Sequence, residues 1–519
     1  MPDARRTLAA NTLYSGIGVY ADYAAAFVVS IVIARRLGPE DYGTYTLLMW
    51  VVLVGVSLAN NGITTGVMKF VGECRGARSG GLAEGVLRYL ERLQVTAAVA
   101  VCGASGIVLV FAADAVSRGL HTAPMLAWLL PPAVLARSLY LFYFAGAKGF
   151  ENFQAGALVH ACVAPINVFL VVVVSYVVGT VNGFVYAYVS VSLLYMAAMR
   201  LALFRRLGEE PANLPDALVG RIYRHIRYAS AIVALDLIVL RQTEIFFLNR
   251  FSPPADIAYY GLGRSLSASA MLLVPGVLTA LLVPVMSRTF GEDPALLGRR
   301  FLAATRYIVI LVVPVVALCE LYAGDLVTAL YGAAYSPAVP VFRVTVAVSA
   351  IGVVSASASS YQLGTDRHPA IVLMMTMVAM VTLILDYLLI RSLGLAGAIA
   401  AGAVGSLLLG VVLLWHARRT LGVSFEWPAY MRVLGAGAVS TLPAIALRYL
   451  LPVWLALPIG VILVVTIYAA LSVVLRTWTR QDLQSMGAMT DALPRWLEAP
   501  VGSFLRRAAD ATPMSDERP

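Results

Sequence analysis

Three ionisable residues interrupt one apolar run. The segment ASAIVALDLIVLRQTEIFFLN carries Asp236, Arg241 and Glu244. At a lipid-facing central position each would cost about 2.5–3.5 kcal/mol, and the three together on the order of 8–10 kcal/mol if simply added. A helix that inserts by its apolar character cannot sustain that cost against lipid, so these side chains must face protein or water. Arg241 and Glu244 are three residues apart and share a helix face. Asp236 lies about 140° round the helix from Arg241 and needs a partner on another element. Asp22, inside the first apolar run, is its positional counterpart. Two readings fit these carboxylates, Asp22, Asp236 and Glu244. They line a cavity and couple transport to an ion, or they belong to an ion-pair network that holds helices in register.

Further arginines are embedded. Arg137 sits in MLAWLLPPAVLARSLYLFYF, Arg264 in the outer part of a later run, and Arg343 near a run's end, where it can snorkel to the interface. A guanidinium offers a fork of donors that fits a phosphate. Arg137, Arg241 and Arg264 are therefore candidate substrate-binding residues for a phosphate or diphosphate headgroup. Tyr14, Tyr20, Tyr23, Tyr140 and Tyr143 add aromatic hydroxyls of the kind that stack on sugars, although tyrosine is also common at membrane interfaces. No catalytic constellation accompanies them. His121, His160, His225, His368 and His416 are scattered, and Cys74, Cys102, Cys162 and Cys319 show no metal-ligand spacing. No phosphate-binding loop or nucleophile elbow is present, so no cofactor, no metal and no enzymatic activity are expected.

The elements that must position these residues are membrane spans. Mean hydropathy is +0.83 and charged residues make up 13% of the chain, about half the usual soluble share. Apolar runs of about 20 residues recur along nearly the whole chain, which predicts an all-α polytopic membrane protein of about fourteen helices. The runs are continuous rather than alternating, which excludes a β-barrel. The net charge of +10 follows from loop placement and does not indicate nucleic-acid binding. With a cytoplasmic N-terminus, most Lys and Arg fall in cytoplasmic segments. The exceptions are Arg35, Arg36, Arg118, Arg250, Arg391 and Arg448 outside, with Arg137, Arg241, Arg264 and Arg343 embedded. This asymmetry predicts both termini in the cytoplasm.

The chain also repeats itself. ARRLGPEDYGTY (Ala34 to Tyr45) and NRFSPPADIAYY (Asn249 to Tyr260) match at an offset of about 215 residues. The same offset relates the turns at Gly149 and Gly364, those at Gly179 and Gly394, and Arg205–Arg206 to Arg418–Arg419. So long a period signals duplicated halves rather than a solenoid. The expected division is a six-helix lobe over 1–206, a cytoplasmic inter-lobe loop over 207–227, a second six-helix lobe over 228–419, an extra helix pair over 430–475 and a cytoplasmic tail over 476–519. An even number of spans per half makes the lobes parallel, around a central cavity. Gly62, beside Asn60 and Asn61, and its counterpart Gly276, beside Pro275, break apolar runs and are candidate hinges, or else ordinary packing glycines.

The residues Ala34, Arg35, Leu37, Gly38, Pro39, Asp41, Tyr42 and Gly43 form an AR-x-LG-P-x-x-YG turn after the first span. This turn resembles that of the polysaccharide-transporter (oligosaccharide flippase) branch of the multidrug/oligosaccharidyl-lipid/polysaccharide (MOP) superfamily. Gly149 in AKGFENFQ and Gly394 in GLAGAIAAG resemble further turns of that family, and the resemblance spans about residues 5–475. It implies an inner-membrane flippase that moves a polyprenyl-linked oligosaccharide by alternating access for glycan assembly. The expected partners are membrane lipid, the lipid-linked sugar and glycosyltransferases of the same pathway, with the protein itself a monomer. The alternatives are a cation-coupled small-molecule antiporter of the same superfamily and a polytopic glycan polymerase or ligase. The second would need an outer loop of enzyme size, which the sequence lacks.

Overall fold

In a computed structural model, residues 2–111, 128–272 and 296–478 are described, together with Leu282, Met286 and Thr289, and excepting positions 78, 206, 209, 240–242, 366, 367 and 476. Side chains before Tyr20 and a few others within helices, Asp236 among them, are outside that set. Among the described residues every regular element is a helix, as the apolar runs require. In chain order they are α1 (Pro2–Asn60), α2 (Ile63–Gly76), α3 (Gly80–Phe111), α4 (Leu130–Gly149), α5 (Phe153–Val177), α6 (Val181–Phe204), α7 (Asp216–Val239) and α8 (Glu244–Phe251). The order continues with α9 (Pro254–Met271), α10 (Leu297–Tyr331), α11 (Ala338–Gly364), α12 (His368–Leu385), α13 (Leu395–Leu421), α14 (Trp427–Leu450) and α15 (Val453–Val474). A π-helical turn, Asp386–Ile390, extends α12.

Nine helices among the described residues are long and apolar enough to cross a membrane. The chain is therefore a multi-pass membrane protein. The shortfall from fourteen has local causes. The first two predicted spans merge into α1, which kinks at Gly38 (φ 74°). Residues 112–127 and most of 273–295 lie outside the described set. The third helix already starts at Gly80, because the charged turn Glu84 to Arg92 is helical as well.

The chain divides into two compact units. The first comprises Met1–Ser269, Val327–Thr345 and Val372–Leu409. Its largest core joins α2 to α6 through Phe70, Val86, Leu87, Phe142, Tyr195 and Met199. A second core joins Leu47 of α1 to Ile245, Leu248, Tyr260, Val341, Ile390 and Ala398. The two repeated turns have assigned duties here. Arg35 donates from Nε to the Leu330 carbonyl (2.7 Å) and from Nη2 to the Ala329 carbonyl, so it satisfies the last turn of α10. Arg36 lies across Gly179, the turn between α5 and α6, where any Cβ would strike its guanidinium. In the second copy the corresponding turn at Gly394 faces Ser252 and Asp256 instead. Both turn glycines have positive φ, 62° and 57°.

The second unit comprises Ala270–Leu326, Val346–Ile371 and Gly410–Pro519. In it, the pair α14 and α15 is tied to α10 by polar contacts as well as by packing. Arg448 grips Asp325 (3.0 and 3.1 Å), the Tyr322 hydroxyl donates to the Ala456 carbonyl (3.0 Å), and the Tyr468 hydroxyl donates to the Ile310 carbonyl (2.7 Å). Away from water, backbone carbonyls that already serve a helix are among the few acceptors these hydroxyls can reach.

Candidate functional site

Two buried polar clusters occur in the first unit. The first gathers α1, α4, α5 and α6 around Asp22. The Tyr195 hydroxyl donates to Asp22 Oδ1 at 2.9 Å, and His160 Nδ1 lies 3.4 Å from the same oxygen. The far side of the imidazole is fixed by a hydrogen bond between Nε2 and the Tyr140 hydroxyl, 3.0 Å. Arg137 stacks over the Tyr140 ring at 4.8 Å and the Tyr195 ring at 5.6 Å, and its charge bears on Asp22. Helical spacing produces this grouping. Arg137 and Tyr140 are three residues apart on α4, so both project from one face. The Asp22 side chain keeps about a third of its surface exposed (34%), while His160 is almost fully buried (5%). His160 Nδ1 makes no hydrogen bond among the described residues.

The second cluster gathers α8, α9, the π turn after α12, and α13. Glu244 and Asp386 are both buried, as are Tyr260 and Thr382. The Thr243 hydroxyl donates to Asp386 Oδ2 at 2.9 Å. A Cβ on Gly402 would lie 2.6 Å from the Tyr260 hydroxyl and 2.7 Å from Glu244 Oε1, so both oxygens converge on one point beside α13. Arg264, four residues after Tyr260 on α9, bears electrostatically on Tyr260 and Glu244. Asp386 Oδ1, the Tyr260 hydroxyl and Thr382 Oγ1 make no hydrogen bond among the described residues. Oxygens buried in this condition carry a desolvation cost that a proton or a cation would relieve. The π turn places Asp386 here, since one wider turn rotates its side chain off the α12 register.

Asp22 and Arg137 thus meet in the first cluster, and Glu244 and Arg264 in the second. Arg241 and Gly276 lie outside the described residues, and so does the side chain of Asp236, whose backbone is in α7. Gly62 is where α1 gives way to α2, with φ 79° next to Asn61 at φ 29°. That break is held from two sides. Gln94 of α3 donates to the Ala59 carbonyl (3.2 Å) and to Asn60 Oδ1 (2.9 Å), and the Ser230 hydroxyl of α7 donates to the Asn61 carbonyl (2.9 Å). Tyr140 and Tyr143 are buried in the helix core, where Tyr143 donates to Glu91 Oε1 (2.8 Å), so neither presents a ring to a sugar. Tyr20 and Tyr23 are exposed. Sequence reasoning missed His160, Tyr195, Tyr260, Thr382 and Asp386. His160 and Asp386 were detectable in principle as ionisable residues inside the apolar runs of α5 and α12. The hydroxyl residues carry no such signal.

In the second unit an apolar cavity of about 580 Å³ lies between α10, α11 and α14. Val309, Val313, Ile351 and Leu434 form its walls, with Trp427 and Tyr430 also lining it.

The fold is that of the MOP superfamily of transporters. Residues 96–340 match the family described as "Polysaccharide biosynthesis protein". Among solved structures, the chain resembles the lipid II flippase MurJ in an inward closed conformation, with TM-score 0.68 and 11% identity, covering 89% of this chain and 98% of that one. An inward-facing multidrug resistance MATE family transporter of the MOP superfamily superposes with TM-score 0.66 and 15% identity, over 79% and 98% of the two chains. A MOP superfamily transporter from Pyrococcus furiosus gives TM-score 0.56 and 16% identity, over 80% and 95%. No curated protein sequence matches. The expected resemblance to the superfamily therefore holds at the level of fold.

Proposed function

We propose that this protein flips a polyprenyl-linked oligosaccharide from the cytoplasmic to the outer leaflet of the cytoplasmic membrane, for assembly of a surface glycan. The observation that carries the reading is the match to a polysaccharide biosynthesis family within a MOP transporter fold. Two six-helix lobes and an appended helix pair, with both termini cytoplasmic, are the arrangement this reading requires. The polar sugar crosses along the embedded charges while the lipid tail stays in an apolar environment. Arg137 and Arg264, with Arg241, are the residues proposed to receive the phosphate-bearing headgroup. The apolar cavity of the second unit offers a long hydrocarbon chain a wall of Val, Ile and Leu side chains. Asp22, Asp236 and Glu244 are proposed as the coupling carboxylates, and Asp386 joins them through its position beside Glu244. Gly62 and Gly276 are proposed hinges of the alternating cycle. Glycosyltransferases that build the lipid-linked sugar are the proposed partners.

A second reading has an observation of its own. Glu244 and Asp386 form the kind of buried carboxylate pair that a cation-coupled antiporter needs, and one structural neighbour is a multidrug transporter. The two readings separate in a deletion strain by leaflet-specific detection of the lipid-linked sugar. Build-up on the inner leaflet, restored by the wild type but not by Arg137→Ala, is the flippase result. Normal outer-leaflet levels without the gene would remove it.

A further inference from the structure

α3 and α6 turn matching rows of side chains away from the core of the first unit. On α3 the exposed residues Arg88, Arg92, Val95 and Val99 follow one another at spacings of four, three and four, which keeps them on one helix face. On α6 Leu193, Ala197 and Arg200 are exposed at the same spacings, and Phe204 continues the row at the helix end. Tyr195, on the other side of α6, is turned to Asp22. The exposed row is therefore separate from the first polar cluster.

The two rows converge at their charged ends. The Arg88 and Arg200 guanidiniums both lie over the Phe204 ring, 5.9 and 5.0 Å from its centroid. Beneath them Leu87 of α3 and Leu203 of α6 meet on α4, where a Cβ on Gly146 would come to 3.1 Å of the first and 3.3 Å of the second. Gly146 thus lets both helices close over α4. Glu91 Oε1 lies 3.8 Å from Arg200 Nε and accepts from the Tyr143 hydroxyl. Arg88 and Arg92 have no ion pair among the described residues. Three guanidiniums against one carboxylate leave this seam with an excess of positive charge.

Depth completes the pattern. Phe204 is the last residue of a span, so the arginines stand at the membrane–water boundary. Val95 and Val99 on α3, counted from Arg88, and Ala197 and Leu193 on α6, counted from Phe204, lie about 10–16 Å deeper at about 1.5 Å per residue. A cationic cluster above two apolar rows has the outline of a phosphate that carries two hydrocarbon chains. The guanidinium fork suits the phosphate. An anionic phospholipid answers the excess charge, whereas a zwitterionic one brings a cation of its own and gains less. A single polyprenyl chain would fill only one row.

We propose that the seam between α3 and α6 binds one anionic, two-chain phospholipid of the surrounding bilayer. Arg88, Arg92 and Arg200 hold its phosphate, one chain lies along Val95 and Val99, and the other lies along Leu193 and Ala197. The bound lipid staples α3 to α6. The inference does not depend on the flippase reading.

The test is titration of dioleoylphosphatidylglycerol, dioleoylphosphatidylcholine and glycerol 3-phosphate into the delipidated full-length protein in neutral detergent, with bound molecules counted by native mass spectrometry. Wild type should hold phosphatidylglycerol more tightly than either of the others. Arg88→Gln with Arg92→Gln should weaken that binding by about 5-fold for each arginine, the weight of one basic residue at an anionic lipid surface, and leave phosphatidylcholine unchanged. This variant breaks no ion pair among the described residues, so it should stay monodisperse. Arg224→Gln with Arg227→Gln removes the same charge from exposed positions on α7 and should bind as wild type does. Equal loss in the α7 variant would reduce the effect to overall charge and overturn the site. Unchanged affinity in the α3 variant would also overturn it, as would equal binding of the two phospholipids by wild type. Glycerol 3-phosphate binding as tightly as phosphatidylglycerol would make this a free-anion site, and displacement of the phospholipid by equimolar polyprenyl phosphate would assign it to the substrate carrier. Either result contradicts the proposal. None of these readouts involves sugar transport, so failure of the lipid site and failure of the flippase reading are separate results.

Discussion

The two polar clusters solve the same problem, charge inside a membrane bundle, in opposite ways. Around Asp22 one acid is answered by a guanidinium, an imidazole and a phenol, and the acid stays partly open. Around Glu244 two acids are buried together with one guanidinium, Arg264, bearing on Glu244, and three oxygens of the cluster, one of them on Asp386 itself, lack hydrogen bonds among the described residues. Replacing a paired charge leaves its partner stranded. Neutralising one of two like charges relieves repulsion. Mutations of equal chemistry should therefore have unequal consequences in the two places.

The largest contrast comes from removing one side of the paired cluster. Arg137→Ala strands a carboxylate in a membrane interior, which costs about 3–5 kcal/mol when a buried pair is broken. Because Asp22 keeps some exposure, the expected loss is at the lower end of that range, read as reduced yield and a lower thermal midpoint in detergent. Arg137→Ala with Asp22→Asn should recover stability but not transport, and failure to recover would show that the pair is not the partner set described here. At the second cluster Asp386→Asn should be neutral or stabilising by the same measurement, while it removes any dependence of transport on Na⁺ or pH. Unchanged ion dependence there would count against a coupling role for Glu244 and Asp386.

A steric change sharpens the comparison further. Gly402→Ala places a methyl group 2.6 Å from the Tyr260 hydroxyl and 2.7 Å from Glu244 Oε1, so the second cluster must rearrange while the first is untouched. Ion dependence should change and diphosphate binding should not. The Gly62 break sits outside both clusters. Gly62→Ala forces a left-handed residue at about 1–2 kcal/mol and brings a Cβ to 2.6 Å from Ala229. Transport should slow with headgroup affinity unchanged, as measured by flipping rate against binding. The smallest effect belongs to Tyr195→Phe, which removes one hydrogen bond to the partly solvated Asp22 at about 0.5–1.5 kcal/mol, read as a slightly lower thermal midpoint in detergent.

Much of this was legible in the sequence. Continuous apolar runs gave the helical membrane class, and the cost of Asp236, Arg241 and Glu244 against lipid requires side chains that face protein or water; of these Glu244 is described, and it is buried. What remained hidden was pairing across helices. Asp22 was matched to Asp236 by the repeat, yet its contacts come from His160 and Tyr195, because packing between α1, α5 and α6 sets them. Asp386 escaped attention among the apolar residues of α12, and a π turn then aims it at Glu244. The second repeat's turn at Gly394 also exchanges the arginine that covers Gly179 for Ser252 and Asp256, so like positions do unlike work.

The most direct test of the central claim uses the purified protein reconstituted into vesicles with a fluorescent short-chain polyprenyl diphosphate sugar, and follows its accessibility to a membrane-impermeant quencher. Vesicles holding the wild-type chain should lose the protected inner-leaflet signal far faster than empty vesicles, and vesicles holding Arg137→Ala, Asp22→Asn should not. Equal rates with and without the wild-type protein would contradict the account.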